Sequence, residues 1–296
     1  MNRVGYLLAL AACGCSSQGA ASAADAGSPS SDAAFVEPED APTTCEPGID
    51  GGTCVLAAQG SVTDTAGVPL GNLVMSICGQ ACFGTRSDDG GVYFIPVALV
   101  IDTQNYAIHA DGRPDHAVDY LRLQESEPAF ITASMHVPPL PPSTVRLPPD
   151  EAGAPTTVTV GDVTLQIPAG TTFTLDPEDG ELGDPGRTVR VAAVPVDQAP
   201  AYAKAANVAA IYAMAPSGAT PSAKMGVTLQ NAAGLPASAA VELLVLGDDY
   251  FSSPPNVGLL QVQAVGHVSA DGKTISTDPG EGIAEITWLG VRQKGE

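Results

Sequence analysis

The 26 prolines and 32 glycines of this 296-residue chain recur at short intervals along its length, and the segments between them alternate apolar and polar residues over four to eight positions. Such punctuation leaves little room for long helices and instead specifies short strands joined by turns. The expected fold class is all-β.

Strand, turn and strand follow one another in the N-terminal half. Gly60-Ser61-Val62-Thr63-Asp64 leads into the turn Thr65-Ala66-Gly67-Val68-Pro69-Leu70 and then Asn72-Leu73-Val74-Met75-Ser76-Ile77-Cys78. The two-residue period puts Leu73, Met75 and Ile77 on one face. Thr85-Arg86-Ser87 and Val92-Tyr93-Phe94-Ile95 flank Asp88-Asp89-Gly90-Gly91, a strong hairpin signal. In Tyr106-Ala107-Ile108-His109-Ala110 the same period turns Tyr106, Ile108 and Ala110 inward and His109 towards solvent, before Asp111-Gly112 closes the strand.

The first residues read Met-Asn-Arg, then an apolar run from Val4 to Ala12, ending in Leu10-Ala11-Ala12-Cys13. The run is too short to cross ~30 Å of hydrocarbon and carries the charge and small residues of a cleaved signal. It resembles the lipobox of bacterial lipoproteins. That resemblance implies removal of residues 1–12, lipidation of Cys13, and anchoring by two or three acyl chains, which hold far more firmly than one. Gly14 in place of aspartate points to the outer membrane. An ordinary signal peptide cut near Ala24 is the competing reading.

Residues 13–52 are rich in Ser, Ala, Asp, Pro and Gly, with Phe35 as the large apolar residue of the stretch before Thr44, and are expected to form a flexible, disordered acidic tether. The whole chain carries 12 basic against 33 acidic side chains, a net charge of -21, which makes nucleic acid and anionic lipid surfaces poor partners. Enough chain remains for two domains, placed at 53–146 and 147–296. The prolines at 138, 139, 141, 142, 148 and 149 mark the passage between them.

Export makes disulfides chemically reasonable. Cys45, Cys54, Cys78 and Cys82 allow three full pairings. Cys45 with Cys54 and Cys78 with Cys82 is favoured, because each pair brackets a short glycine-containing turn; Cys15 is left over. A four-thiolate zinc site competes, but the spacings do not repeat a zinc knuckle.

From Gly60 to Gly112 the order of motifs resembles a carboxypeptidase regulatory-like domain, a transthyretin-like sandwich. This chain departs from that pattern in the Cys78 to Cys82 insertion and the longer Pro96 to Asn105 connection. In the second half Val163-Thr164-Leu165-Gln166-Ile167-Pro168-Ala169-Gly170, Tyr212-Ala213-Met214-Ala215-Pro216-Ser217-Gly218 and a late Asp271-Gly272 hairpin are similar to the sandwich domain shared by ankyrins and netrin receptors. Some members of that group cleave their own backbone at a His-Phe-Ser step, but here the final strand reads Ile286-Thr287-Trp288. Together these resemblances imply two β-sandwich domains after a tether and say little about activity.

The chemistry-bearing clusters are sparse. There are four histidines, and neither Gly-x-Ser-x-Gly nor His-Glu-x-x-His occurs. His109, Asp111, Asp115, His116 and Asp119 offer imidazole and carboxylate metal ligands within eleven residues, set against a solvated loop. Asp176, Asp179 and Asp184 lie in a Gly/Pro-rich loop with oxygen ligands suited to calcium, set against an exposed acidic turn. Tyr250 and Phe251 follow a strong strand and could form an aromatic platform for sugar, set against folding back onto the sandwich. The expectation is a non-catalytic, lipid-anchored protein of the cell envelope, without a cofactor, in a structural, adhesive or protein-interaction role. A carbohydrate-binding lipoprotein is the alternative, and a metal-assisted hydrolase at His109 and His116 the enzymatic rival.

Overall fold

The computed structural model describes residues 41–124, 128–150, 153–247 and 256–295. The signal peptide, Cys13, Cys15 and the tether up to residue 40 lie outside the described residues. Those described are nearly all strand and turn, an all-β fold, and no helix among them is long and apolar enough to cross a membrane.

Seven strands build the first half: β1 (Thr53–Thr63), β2 (Val74–Cys78), β3 (Cys82–Arg86), β4 (Val92–Ile101), β5 (Ala107–Asp111), β6 (Val118–Arg122) and β7 (Phe130–His136). They form a three-stranded sheet in the order β4-β1-β7 and a four-stranded sheet in the order β3-β2-β5-β6. Met75, Ile77, Ile95, Ile108 and Met135 are buried in one core. Cys45 is bonded to Cys54 and Cys78 to Cys82, while Glu46 exchanges backbone hydrogen bonds with Ala98 and Val100, so the chain is already fastened to β4 before β1 begins.

Gly60 shows why the opening strand needs its glycine. It is opposite Ala133 in the parallel β1–β7 pair and opposite Tyr93 in the β1–β4 pair. A Cβ there would lie 1.6 Å from the Ala133 carbonyl oxygen. The Tyr93 hydroxyl donates to that same carbonyl at 2.9 Å.

β4 continues through Pro96, where the sequence suggested a connection. Proline lacks an N–H and is tolerated because β4 sits at the edge of its sheet.

The second half comprises β8 (Thr156–Val160), β9 (Val163–Ile167), β10 (Phe173–Thr174), α1 (Pro177–Glu181), β11 (Arg190–Val194), α2 (Ala201–Ala205), β12 (Ala210–Ala215), β13 (Thr220–Pro221), β14 (Gly226–Gln230), β15 (Ala240–Leu246), β16 (Leu260–Val268), β17 (Thr274–Thr277) and β18 (Trp288–Gln293). Nine of these strands join one sheet, β11-β12-β18-β15-β16-β17-β14-β9-β8, while β10 pairs with β13. Val158, Leu165 and Val227 from one end of the sheet share a core with Val191, Met214 and Leu243 from the other, so the sheet folds back over itself.

Alternation along β11, β12, β15 and β18 feeds two cores at once. Tyr212, Met214, Val241, Leu243, Val245 and Leu289 point into the second-half core. Ala192, Val194, Ile211, Ala213, Leu244, Leu246 and Trp288 point the other way, into the core of the first half. Double burial explains why β15 reads as an unbroken apolar run, Leu243-Leu244-Val245-Leu246, like a strand covered on both faces. At roughly 1.5–3 kcal/mol per large buried side chain, this shared core holds the two halves together as one body.

The junction covers the edge strand β6. The Trp288 indole N–H donates to the Val118 carbonyl at 2.7 Å, and the Tyr202 ring meets Trp288 edge to face at 6.0 Å. An exposed edge would be a template for pairing with another chain, and here it is capped by side chains.

Candidate functional site

Three places gather polar groups: a clasp around Arg113, a cleft floored by Asp119, and a groove on the outer face of the folded sheet.

Arg113 follows the β5 strand in the loop to β6, and its guanidinium is 13% exposed. It hydrogen-bonds both oxygens of Asp111 from its own half. Across the junction it reaches Asp176 at 3.0 Å, Asp179 at 3.5 Å and Glu178 at 3.7 Å. Asp176 caps α1 by accepting from the Glu178 backbone N–H, and acids suit that helix start. Asp111 from one acidic cluster of the sequence and Asp176 and Asp179 from the other thus converge, but on a guanidinium.

Protons are unevenly shared within the clasp. Burial would lower Arg113, but the hydrogen bond and charge of Asp111, with Asp176 and Asp179, hold it above its usual range. Burial works against the Asp176 carboxylate, yet the hydrogen bond from Glu178 and the Arg113 charge keep it below the ordinary value. Glu178 rises to about 7, first through its hydrogen bond to Asp176 and then through burial. Asp179 rises to about 6, mainly by burial, with Arg113 opposing. Glu178 and Asp179 therefore hold their protons to higher pH than ordinary carboxyls, while Asp176 gives its proton up more readily.

The remaining metal candidates are dispersed. Asp184 pairs with Arg146 at 3.1 Å in the open, and Asp115 is 3.7 Å from Arg190, itself bonded to the Pro114 carbonyl. His116 bridges to Pro139. His109 does not face solvent: Ala107, Ile108, His109 and Ala110 are all buried, because both faces of β5 are covered. Its ring meets Tyr120 edge on at 4.6 Å, and burial lowers it to about 3, so it is neutral. Among the described residues no group of three or more His, Cys, Asp and Glu is placed to hold a metal ion. Tyr250 and Phe251 lie outside the described residues.

Asp119, which the sequence groups with His109 and His116, lies on β6. It is 4% exposed and accepts from the Tyr202 hydroxyl of α2 at 2.6 Å. Burial raises it to about 7, against the opposing hydrogen bonds of Tyr202 and the Tyr120 backbone. Its partner Tyr202, 83 positions away, is what the structure adds.

The groove lies where the second-half sheet faces outward. Register aligns Thr159, Thr164, Thr228, Ser276 and His267 in a row across β8, β9, β14, β17 and β16. Their alternate neighbours fill the core, so the row is the polar side of each strand. Thr159 and Thr164 hydroxyls are 3.0 Å apart, Thr228 and Ser276 3.1 Å, and the Gln166 amide donates to Thr228 at 3.2 Å. Beside the row opens a cavity of about 460 Å3 lined by Thr157, Gln166, Lys224, Thr277, Asp278 and Glu281, with Pro155, Pro168 and Pro279 as apolar walls. Gly226 keeps its floor low, since a Cβ there would sit 2.8 Å from the Gln166 side-chain oxygen. Asp278 is held by His267 at 2.7 Å. Threonines alternating in a strand read as ordinary β-formers, which is why the sequence did not nominate the groove.

No protein-family profile matches the chain, and no curated protein does. Among solved structures, a Bacteroides uniformis protein provisionally described as carbohydrate binding is 9% identical, covering 76% of this chain and 80% of that one with a TM-score of 0.24. At that score the likeness bears on neither the topology nor the ligand of this chain.

Proposed function

We propose that this chain is a non-catalytic binding protein of the cell envelope, anchored through lipid on Cys13, that takes a carbohydrate in the groove over β9, β14 and β17. The observation that carries the reading is the composition of that groove. Threonine hydroxyls and the Gln166 amide both donate and accept, and the Asp278 and Glu281 carboxylates accept, which matches the mixed donor and acceptor surface of a sugar. The proline walls offer C–H faces to a ring, and a cavity of about 460 Å3 has the size of a small-ligand site.

The test is a glycan array followed by calorimetry on the whole protein, with Gln166→Ala and Asp278→Ala beside it. Loss of binding by about tenfold or more in each variant is expected, equivalent to about 1.4 kcal/mol. Absence of any glycan ligand, or binding indifferent to both changes, rejects the groove. Tyr250→Ala in the same series reads the Tyr250-Phe251 pair independently.

A structural or adhesive role is the second reading, favoured by the shared core that joins the two halves into one body. Lipid anchoring is common to both. Intact mass and detergent partitioning of protein made in a lipoprotein-processing bacterium, against Cys13→Ser, test it: a chain beginning at Cys13 with added acyl mass is expected.

A further inference from the structure

A second cavity, of about 230 Å3, opens at the junction between β6 and β7 on one side and α2 on the other. It has room for roughly seven or eight water-sized volumes. Leu121, Met135 and Pro200 make its walls apolar, and Asp119 and Tyr202 also line it.

Asp119 is badly provided for as a buried carboxylate. It can accept about four hydrogen bonds, and its donors are the Tyr202 hydroxyl and the Tyr120 backbone N–H. Among the described residues no cationic side chain pairs with it. A buried, unpaired carboxylate carries a penalty of several kcal/mol, which a proton or a cation relieves. The carboxylate also opens onto a cavity instead of being sealed, and a perturbed acid in a cleft marks a functional-site candidate.

We propose that this cleft is a binding site for a small organic ammonium ion, whose charged group meets Asp119 while its apolar body lies against Leu121, Met135 and Pro200. Tyr202 holds the carboxylate at the cleft through its hydroxyl. Trp288 packs edge to face on Tyr202 and fixes that ring. The other titratable groups lining the cleft are His136 on β7 and Lys204 on α2, both exposed. Lys204 opposes a cation only weakly, because its charge is in water and screened, whereas Asp119 acts in a low-dielectric interior. The site is separate from the sugar groove and stands or falls without it.

The test uses the whole protein with benzylammonium chloride, and benzyl alcohol as the uncharged counterpart, followed by ligand-observed NMR and thermal shift at pH 6 and pH 8. Benzylammonium stays charged at both, while a carboxylate titrating near 7 passes from about one tenth to about nine tenths ionised, so affinity should rise about tenfold. Benzyl alcohol should bind at least about tenfold more weakly, a difference of about 1.4 kcal/mol. Asp119→Asn should abolish the pH dependence and most of the affinity. Ala201→Trp, on the exposed side of α2, should block the cleft without touching Asp119, and Lys204→Ala should strengthen binding. No binding by benzylammonium, equal binding by the alcohol, pH-indifferent affinity, or binding that survives both Asp119→Asn and Ala201→Trp overturns the proposal.

Discussion

Replacing Asp119 with asparagine should make the protein more stable at alkaline pH and less stable in acid. Burial raises this carboxyl from its ordinary 3.8 to about 7. A folded-state value above the unfolded one means that the native protein holds the proton more tightly. The associated stability is fully present below about pH 4 and is lost as pH rises through about 7. At 1.36 kcal/mol per pH unit, the full difference is about 4 kcal/mol, an upper figure for a buried group. Asparagine keeps an oxygen for the Tyr202 hydroxyl but adds an amide N–H2 with no assured acceptor, which costs about 1–3 kcal/mol. The net gain at pH 8 is therefore about 1–3 kcal/mol. Urea denaturation of both proteins at pH 4.5, 6, 7 and 8 measures it. The wild-type curve should fall towards alkaline pH, and the variant curve should be flatter. If the variant has the same slope as wild type, or is less stable at pH 8, the burial argument for Asp119 is wrong.

The other expectations concern the clasp, the sheet and the tether end. Arg113→Ala leaves Asp111, Asp176 and Asp179 crowded without their cation and should cost about 3–5 kcal/mol, more at pH 8 than at pH 5, where Glu178 and Asp179 are protonated; differential scanning calorimetry at the two pH values reads this. Gly60→Ala drives a methyl into the Ala133 carbonyl and should cost about 4 kcal/mol or more, seen as loss of soluble folded protein, with Gly153→Ala, where a Cβ meets nothing, as the mild comparison. Cys45→Ser with Cys54→Ser opens a short loop and should lower stability by about 2–3 kcal/mol, read by urea midpoints under oxidising conditions.

Much of the strand pattern was legible because one-sided burial leaves a period of two. Met75 and Ile77 show it, as do Val163, Leu165 and Ile167, and the Asp-Gly turns mark hairpins at Asp89-Gly90 and Asp271-Gly272. Where a strand is covered on both faces the period disappears, and His109, which a period of two turns towards solvent, is buried for that reason. Parallel pairing of β7 with β1 and the burial of Trp288 against β6 depend on contacts 73 and 170 residues apart, which no local pattern encodes. The acidic loop was visible as a cluster, but its partner was not, since Arg113 reads as one more turn residue before a proline. The polar groove is assembled from positions spread between Thr157 and Glu281, each ordinary in its own segment.

Trp288 is the chain's single tryptophan, and it sits at the junction with its N–H on the Val118 carbonyl and its ring against Tyr202. The molecule thus contains its own optical gauge. Excitation at the red edge isolates one indole whose emission should be blue while the two halves are joined and should move to the red when water reaches β6. A parting of the halves that leaves each sandwich intact would register in fluorescence before circular dichroism changed, and the same signal would follow occupancy of the neighbouring cleft.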